Sequence, residues 1–139
     1  MSLCIDHIAI CVRDMDHAID IYQRLLGISP TVSSVPEEGV KRAFFDLVHM
    51  KIELISPLDV GDQDFHLNKF LSNRGEGIHH ICFKTNDIEK SEAKIRNEGF
   101  KFIYSSPKLL RDGSKINFLH PSTTSQVLIE LKESDTPKK

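Results

Sequence analysis

The sequence states one pattern twice, and no other feature restricts the possible folds as tightly. Asp6-His7-Ile8-Ala9-Ile10 recurs as His79-His80-Ile81-Cys82-Phe83, and Asp14-Met15-Asp16 recurs at the same offset of 73 as Asp87-Ile88-Glu89. A strand, a turn and a helix start are therefore duplicated. Each half later carries a further matching strand, Lys51-Ile52-Glu53-Leu54-Ile55 and Leu128-Ile129-Glu130-Leu131. Here the offset is 77, so the second half contains a small insertion.

In the first half Met15, Ala18, Ile19, Tyr22, Leu25 and Leu26 follow helical spacing, with Asp14 placed to cap the helix and Gly27 to end it. The second-half helix is predicted over residues 88–98, on a thinner stripe of Ile88, Ala93 and Ile95, with Gly99 as its stop. Further strands are predicted over 40–47 and 50–56, and then over 101–104, 115–119 and 126–132. Each half thus reads β-α-β-β-β. Between them, Leu67, Phe70 and Leu71 predict a short helix, followed by the turn sequence Asn73-Arg74-Gly75-Glu76-Gly77.

The expected architecture is α+β: one domain over residues 1–139, with module one at about 4–58, a linker at about 59–76 and module two at about 77–133. Two half-sheets, each with a helix on one face, must bury their other faces, and pairing into an open barrel-like sheet around a metal cleft satisfies both. The two chain ends, Met1-Ser2-Leu3 and residues 133–139, carry no periodic pattern and are expected to be loose.

Strand alternation then selects the chemistry. With Ile8 and Ile10 turned toward the helix, His7 turns the other way; the same parity sets His80 opposite Ile81 and Phe83, Glu53 between Ile52 and Leu54, and Glu130 between Ile129 and Leu131. A carboxylate inside an apolar strand costs several kcal/mol to desolvate unless it is paired or bound to a cation. A lone strand histidine is ordinarily a hydrogen-bonded core residue, but here His and Glu recur at equivalent places with equal parity. Two imidazoles and two carboxylates, without thiolate, suit a borderline divalent ion, namely Co, Ni, Zn or Mn. Such an ion keeps two positions open if octahedral, and open positions mean catalysis rather than a structural staple.

Other polar residues carry weaker signals. Cys11 and Cys82 share the parity of the histidines but have no evident neighbour to activate a thiol, so both are assigned to packing. His79 faces the helix side, and His17, His49, His66 and His120 have no repeat partner and are assigned to surface or turns, with His120 before Pro121 able to reach the cleft rim. Three cysteines without a C-x-x-C pair argue against a disulfide framework and suit a reducing cytoplasm. Eighteen Lys plus Arg against twenty Asp plus Glu, with no basic cluster, disfavours nucleic acid as a partner. The apolar runs end after about five residues where a membrane span needs about twenty, so no membrane partner is expected.

With these residues in place the sequence resembles the vicinal-oxygen-chelate superfamily (glyoxalase, bleomycin resistance, dioxygenase) and, within it, the methylmalonyl-CoA epimerases. The resemblance runs from Ile5 to Glu133 and rests on Ile5-Asp6-His7-Ile8-Ala9-Ile10, Glu37-Glu38-Gly39-Val40, Ile52-Glu53-Leu54, Arg74-Gly75-Glu76-Gly77-Ile78-His79-His80-Ile81, Phe118-Leu119-His120-Pro121 and Val127-Leu128-Ile129-Glu130-Leu131. It implies metal ligands at His7, Glu53, His80 and Glu130, a homodimer, and a 1,1-proton transfer at C2 of a malonyl-type thioester. The metal would take the thioester carbonyl and the free carboxylate in its open positions.

The chain also departs from that pattern. Some members use a glutamate as second base three residues after the Glu-Gly turn, where this chain has Arg42, which cannot take a proton. The expected proton-transfer groups are therefore Glu130 and Glu53, with Glu37 or Glu38 as the alternative to Glu53. Where a glycine-rich loop is common this chain has Leu109-Leu110-Arg111-Asp112-Gly113-Ser114, and it has Ser122 after His-Pro and Ser125-Gln126 before Val-Leu. Two other activities fit the superfamily. A glyoxalase-I-like lactoylglutathione lyase uses the same ligand set, but its acidic ending is unmatched by Leu119-His120-Pro121-Ser122-Thr123. A metal-free, antibiotic-sequestering protein needs an aromatic-lined groove, for which this chain, with no Trp, is poorly supplied.

Overall fold

The computed structural model describes residues 3–134; Met1, Ser2 and residues 135–139, within the ends expected to be loose, lie outside the described residues. The elements run β1 (Cys4–Cys11), α1 (Met15–Leu26), β2 (Thr31–Val35), β3 (Val40–Asp46), β4 (Lys51–Pro57), α2 (His66–Arg74), β5 (Gly77–Lys84), α3 (Ile88–Asn97), β6 (Lys108–Leu109), β7 (Lys115–Leu119) and β8 (Ile129–Glu133). The fold class is α+β, and β-α-β-β-β occurs twice, as the repeat predicts. Two compact units are distinguished: His7–His79, and the residues up to Asp6 together with those from His80 onward.

In the first unit the strand order is β2-β3-β4-β1. β1 lies parallel to β4, with Ala9 opposite Glu53 and Cys11 opposite Ile55, while β3 runs antiparallel to β4 with Phe44 opposite Glu53. One face of this half-sheet packs on α1: Ala43, Phe45 and Leu54 are fully buried against Met15 and Ala18, with Ile10, Ile52 and Tyr22 at the margin. Each such fully buried large side chain contributes about 1.5–3 kcal/mol. Asp14 accepts from the His17 amide at 3.1 Å, and Gly27 ends α1 with φ of 73°, a conformation that favours glycine. Leu25, counted in the predicted apolar stripe, is instead 71% exposed. The opposite face of the half-sheet is covered at one end by α2, whose Leu67 and Leu71 pack on Cys11, Val40 and Ile55. The other end of that face carries His7, Phe44 and Glu53.

In the second unit the order is β5-β8-β7-β6, with β5 parallel to β8 and Cys82 opposite Glu130. Here the structure corrects the sequence reading in three places. The strand expected over 101–104 makes only an isolated bridge, Phe102 to Leu119, and the hairpin partner of β7 is the two-residue β6. Backbone bonds serve only part of this segment, the Ile103 amide donating to the Phe118 carbonyl and the His120 amide to the Lys101 carbonyl; at Tyr104 side chains take over, with the Tyr104 N–H donating to Asn117 Oδ1 while Asn117 Nδ2 and Arg96 donate to the Tyr104 carbonyl. On α3 the buried residues are Ile88, Ser91 and Glu92, and Ala93 is exposed. Polar pairing lets that face be buried, since Ser91 bonds Thr85 at 2.6 Å and Glu92 accepts from the fully buried Asn117 at 3.0 Å. Finally, β8 begins at Ile129 rather than at 126, because Ser125 and Gln126 both adopt positive φ.

Candidate functional site

Each unit places one histidine, one glutamate and one phenylalanine, from three neighbouring strands, on one face of its half-sheet. In the first unit His7 Nε2 lies 3.6 Å from Glu53 Oε1, and the Phe44 ring meets the His7 ring edge-on at 5.9 Å. In the second, His80 Nε2 lies 3.2 Å from Glu130 Oε1, and Phe118 meets His80 edge-on at 6.3 Å. The register explains the correspondence: Phe44 stands opposite Glu53 in the β3–β4 ladder, and Phe118 opposite Glu130 in the β7–β8 ladder. All four His and Glu residues are buried, with Glu53 only 3% exposed.

The phenylalanines were not singled out from the sequence. Their signal was available in the alternation of Phe44 and Phe118 along strands that flank the glutamates, although the small insertion between the halves spoils their offset. An aromatic edge beside an imidazole fixes the ring plane and excludes water on one side.

The two glutamates differ in their other neighbours. Glu53 Oε2 forms an ion pair with Arg42 Nε at 3.1 Å, and the same guanidinium donates from its terminal nitrogens to both oxygens of Glu38, at 2.9 and 3.2 Å. Glu130 instead faces Cys82 across the β5–β8 ladder. In the ladder position matching Arg42, two residues before the phenylalanine, the second unit has Ile116. Glu38, one of the two alternatives to Glu53 as base, is thus committed to Arg42 through both oxygens.

Both buried cysteines share the face of the histidines, as their parity predicts. Burial, with the charge of Glu76 adding to it, pushes the Cys11 thiol up to about 12. Burial and the adjacent Glu130 drive Cys82 still higher. Neither is therefore a thiolate near neutral pH, which agrees with their assignment to packing. Cys82→Ser is expected to leave turnover within about 3-fold of the parent, because small buried Cys side chains act as hydrophobes and a general nucleophile is not lost. A loss of 100-fold or more in a folded variant, measured as steady-state turnover, would restore the nucleophile reading.

The remaining histidines sit elsewhere. His79 packs edge-on against Phe70 of α2 at 5.0 Å and lies 5.9 Å from His66, so its helix partner is the linker helix. His120 is exposed and accepts from the Ser122 amide through Nδ1, capping a short 3-10 turn. An acidic group at Asp87, Glu89 and Glu133 is accounted for by helix capping and pairing: Asp87 accepts from Lys90 N, Glu133 from Ile88 N, and Glu89 pairs with Lys115.

Imidazole and carboxylate donors, buried and paired on strands, have the chemistry of a divalent-cation site, and the described residues include groups of such donors near enough to hold an ion, drawing on His7, His80 and Glu130 but not on Glu53. The residues present therefore fit a borderline divalent ion. Among the described residues no helix is long and apolar enough to cross a membrane.

Comparison with known proteins bears on the chemistry. Residues 6–118 match the glyoxalase/bleomycin resistance protein/dioxygenase superfamily. The chain is 34% identical over 131 residues to the mitochondrial methylmalonyl-CoA epimerase of Dictyostelium discoideum, covering 93% of this chain and 77% of that protein. It is 33% identical over 132 residues to the ethylmalonyl-CoA/methylmalonyl-CoA epimerase of Cereibacter sphaeroides, covering 93% and 96% respectively. A solved methylmalonyl-CoA epimerase in complex with methylmalonyl-CoA and NH4+ superimposes with a TM-score of 0.83 at 34% identity, covering 97% of each chain.

Proposed function

Because the chain belongs to the glyoxalase/bleomycin resistance protein/dioxygenase superfamily, we propose that it is an epimerase moving a proton at C2 of methylmalonyl-CoA or a closely related malonyl-type thioester. The observation that carries this reading is the duplicated buried His–Glu pair, His7 with Glu53 and His80 with Glu130, in a chain with epimerase relatives along nearly its whole length. We propose His7, Glu53, His80 and Glu130 as the ligands of a divalent ion, Co, Ni, Zn or Mn. When bound, such an ion supplies Lewis-acid stabilisation of the charge that develops as C2 loses its proton.

The chain's own residues do the remaining work. Glu130 exchanges the proton on one face of C2 and Glu53 on the other, since inverting one carbon needs an acid/base group on each side. Phe44 and Phe118 hold the imidazole rings and keep water off them. Residues 1–139 act as one domain, with module one at about 4–58, a linker at about 59–76 and module two at about 77–133. Cys4, Cys11 and Cys82 are all free, which suits the reducing cytoplasm, and a homodimer is the assembly this reading implies.

Proton NMR in D2O tests the reaction. Methylmalonyl-CoA is expected to lose its C2 proton signal in the presence of catalytic amounts of the cobalt-loaded protein, which should contain about one ion per chain by elemental analysis. The hemithioacetal of methylglyoxal and glutathione should remain unconverted. Conversion of the hemithioacetal with no exchange at C2 would replace the epimerase by a lactoylglutathione lyase. A folded protein that takes up no ion would remove the metal site.

A further inference from the structure

We infer that Arg42 is a positioning residue that holds Glu53 by one oxygen and thereby fixes which oxygen Glu53 offers to a cation. This rests on the metal reading above and deepens it. The arrangement begins in the β3–β4 register: Phe44 stands opposite Glu53, so Arg42, two residues away on the same strand and therefore on the same face, reaches along the strand to the Glu53 carboxylate. The guanidinium uses its nitrogens on two partners at once. Its terminal nitrogens grip Glu38 at 2.9 and 3.2 Å, and Nε sits 3.1 Å from Glu53 Oε2. A planar fork fixed at one edge by a bidentate carboxylate cannot turn its Nε away, so Glu38 aims Arg42 and Arg42 holds Glu53.

Charge and direction both favour this assignment. Glu38, Arg42 and Glu53 together carry one net negative charge, so the group still attracts a dication, which Arg42 beside Glu53 alone would not ensure. Glu53 Oε1 is the oxygen facing His7 Nε2, at 3.6 Å, so the oxygen that Arg42 leaves to other partners points toward the second donor of the same unit. Glu53 is almost fully buried whereas Arg42 and Glu38 are partly exposed, so the outer pair braces an inner carboxylate. The second unit has Ile116, an uncharged side chain, at the matching position. The repeated halves therefore differ at the very position from which Arg42 reaches Glu53.

The test is a double-mutant cycle read by metal affinity, with cobalt(II) as the probe titrated into chelator-stripped full-length protein against a chromophoric competitor. Arg42→Ala should weaken cobalt binding by about 10-fold or more, the scale of losing a supporting partner behind a metal ligand. In a Glu53→Ala background the same change should shift affinity by less than about 2-fold, since a residue that acts only through Glu53 has nothing left to position. Arg42→Lys keeps the charge but not the fork, folds without an unpaired buried carboxylate, and should also weaken binding, by about 3-fold or more. Unchanged affinity in folded Arg42→Ala and Arg42→Lys, or an equal loss with and without Glu53, overturns the inference. So does a raised KM with cobalt affinity untouched, which would make Arg42 a contact of the substrate's own carboxylate. If the parent protein binds no cobalt, the metal reading itself has failed, and that result is distinct from any of these.

Discussion

His80→Ala is expected to lose the divalent ion and turnover together, with cation affinity down by at least about 100-fold, since it deletes a ligand outright where loss of a mere supporting contact costs 10–100-fold. His80 is buried on β5, and its Nε2 lies 3.2 Å from Glu130 Oε1. The alanine variant therefore removes one donor and also leaves the Glu130 carboxylate, beside the Cys82 thiol, without its imidazole. Some stability should go with it, because a buried carboxylate stripped of a partner typically costs a few kcal/mol. Cobalt titration and thermal melting of the same preparation separate the two effects. A variant that melts with the parent but binds no cobalt and turns over nothing supports the ligand role. One that stays cobalt-loaded and active assigns His80 to the core, where an isolated strand histidine usually belongs.

The parts of this molecule that were legible in its sequence are those in which local pattern and tertiary demand agree. The duplicated strand-turn-helix, the Asp14 cap, the Gly27 stop and the alternation that sets His7, Glu53, His80 and Glu130 on common faces all follow from period and capping chemistry, and all appear in the structure. What could not be read has equally definite causes. β2 is an edge strand of mostly exposed residues, Thr31-Val32-Ser33-Ser34-Val35, with no buried alternation to mark it. The strand expected over 101–104 is reduced to a bridge because Asn117 and Arg96 answer the backbone groups at Tyr104 that a longer strand would have paired. The apolar stripe of α3 was thin because its buried face is polar, and Ser91 and Glu92 are tolerated there only through Thr85 and Asn117 on other elements. The Glu38–Arg42–Glu53 chain is the most instructive case. Arg42 was visible as a place where a proton-transfer residue cannot be, but its grip on Glu53 depends on a cross-strand register that sequence spacing alone does not supply.

That grip sharpens the expected behaviour of the two carboxylates. Glu53→Gln retains an oxygen donor and keeps an oxygen beside the Arg42 guanidinium, so it should fold and, at saturating cobalt, remain loaded. It cannot take a proton, and turnover should fall by about 100-fold or more, the usual contribution of a general base. Glu130→Gln should lose turnover on the same scale, and the two variants are expected to differ in which epimer they spare. A carboxylate serving one face of C2 is needed to remove the proton from one epimer only. Each variant should therefore keep wash-out of the C2 proton into D2O starting from one epimer while losing it from the other, and the spared epimers should be opposite. The asymmetry between the glutamates gives the comparison a second reading. Arg42 pairs with Glu53 Oε2 at 3.1 Å, whereas in the second unit Ile116 stands in the matching place. In the parent protein, the different surroundings of the two glutamates should accordingly show as unequal initial wash-out rates from the separate epimers. If Glu53→Gln stays cobalt-loaded and fully active while Glu37→Gln or Glu38→Gln is dead, the proton is carried from the turn that follows β2, and Glu53 is a ligand only. The bidentate hold of Arg42 on Glu38 makes that outcome costly for Glu38, which would have to break two charge-assisted hydrogen bonds before it could act.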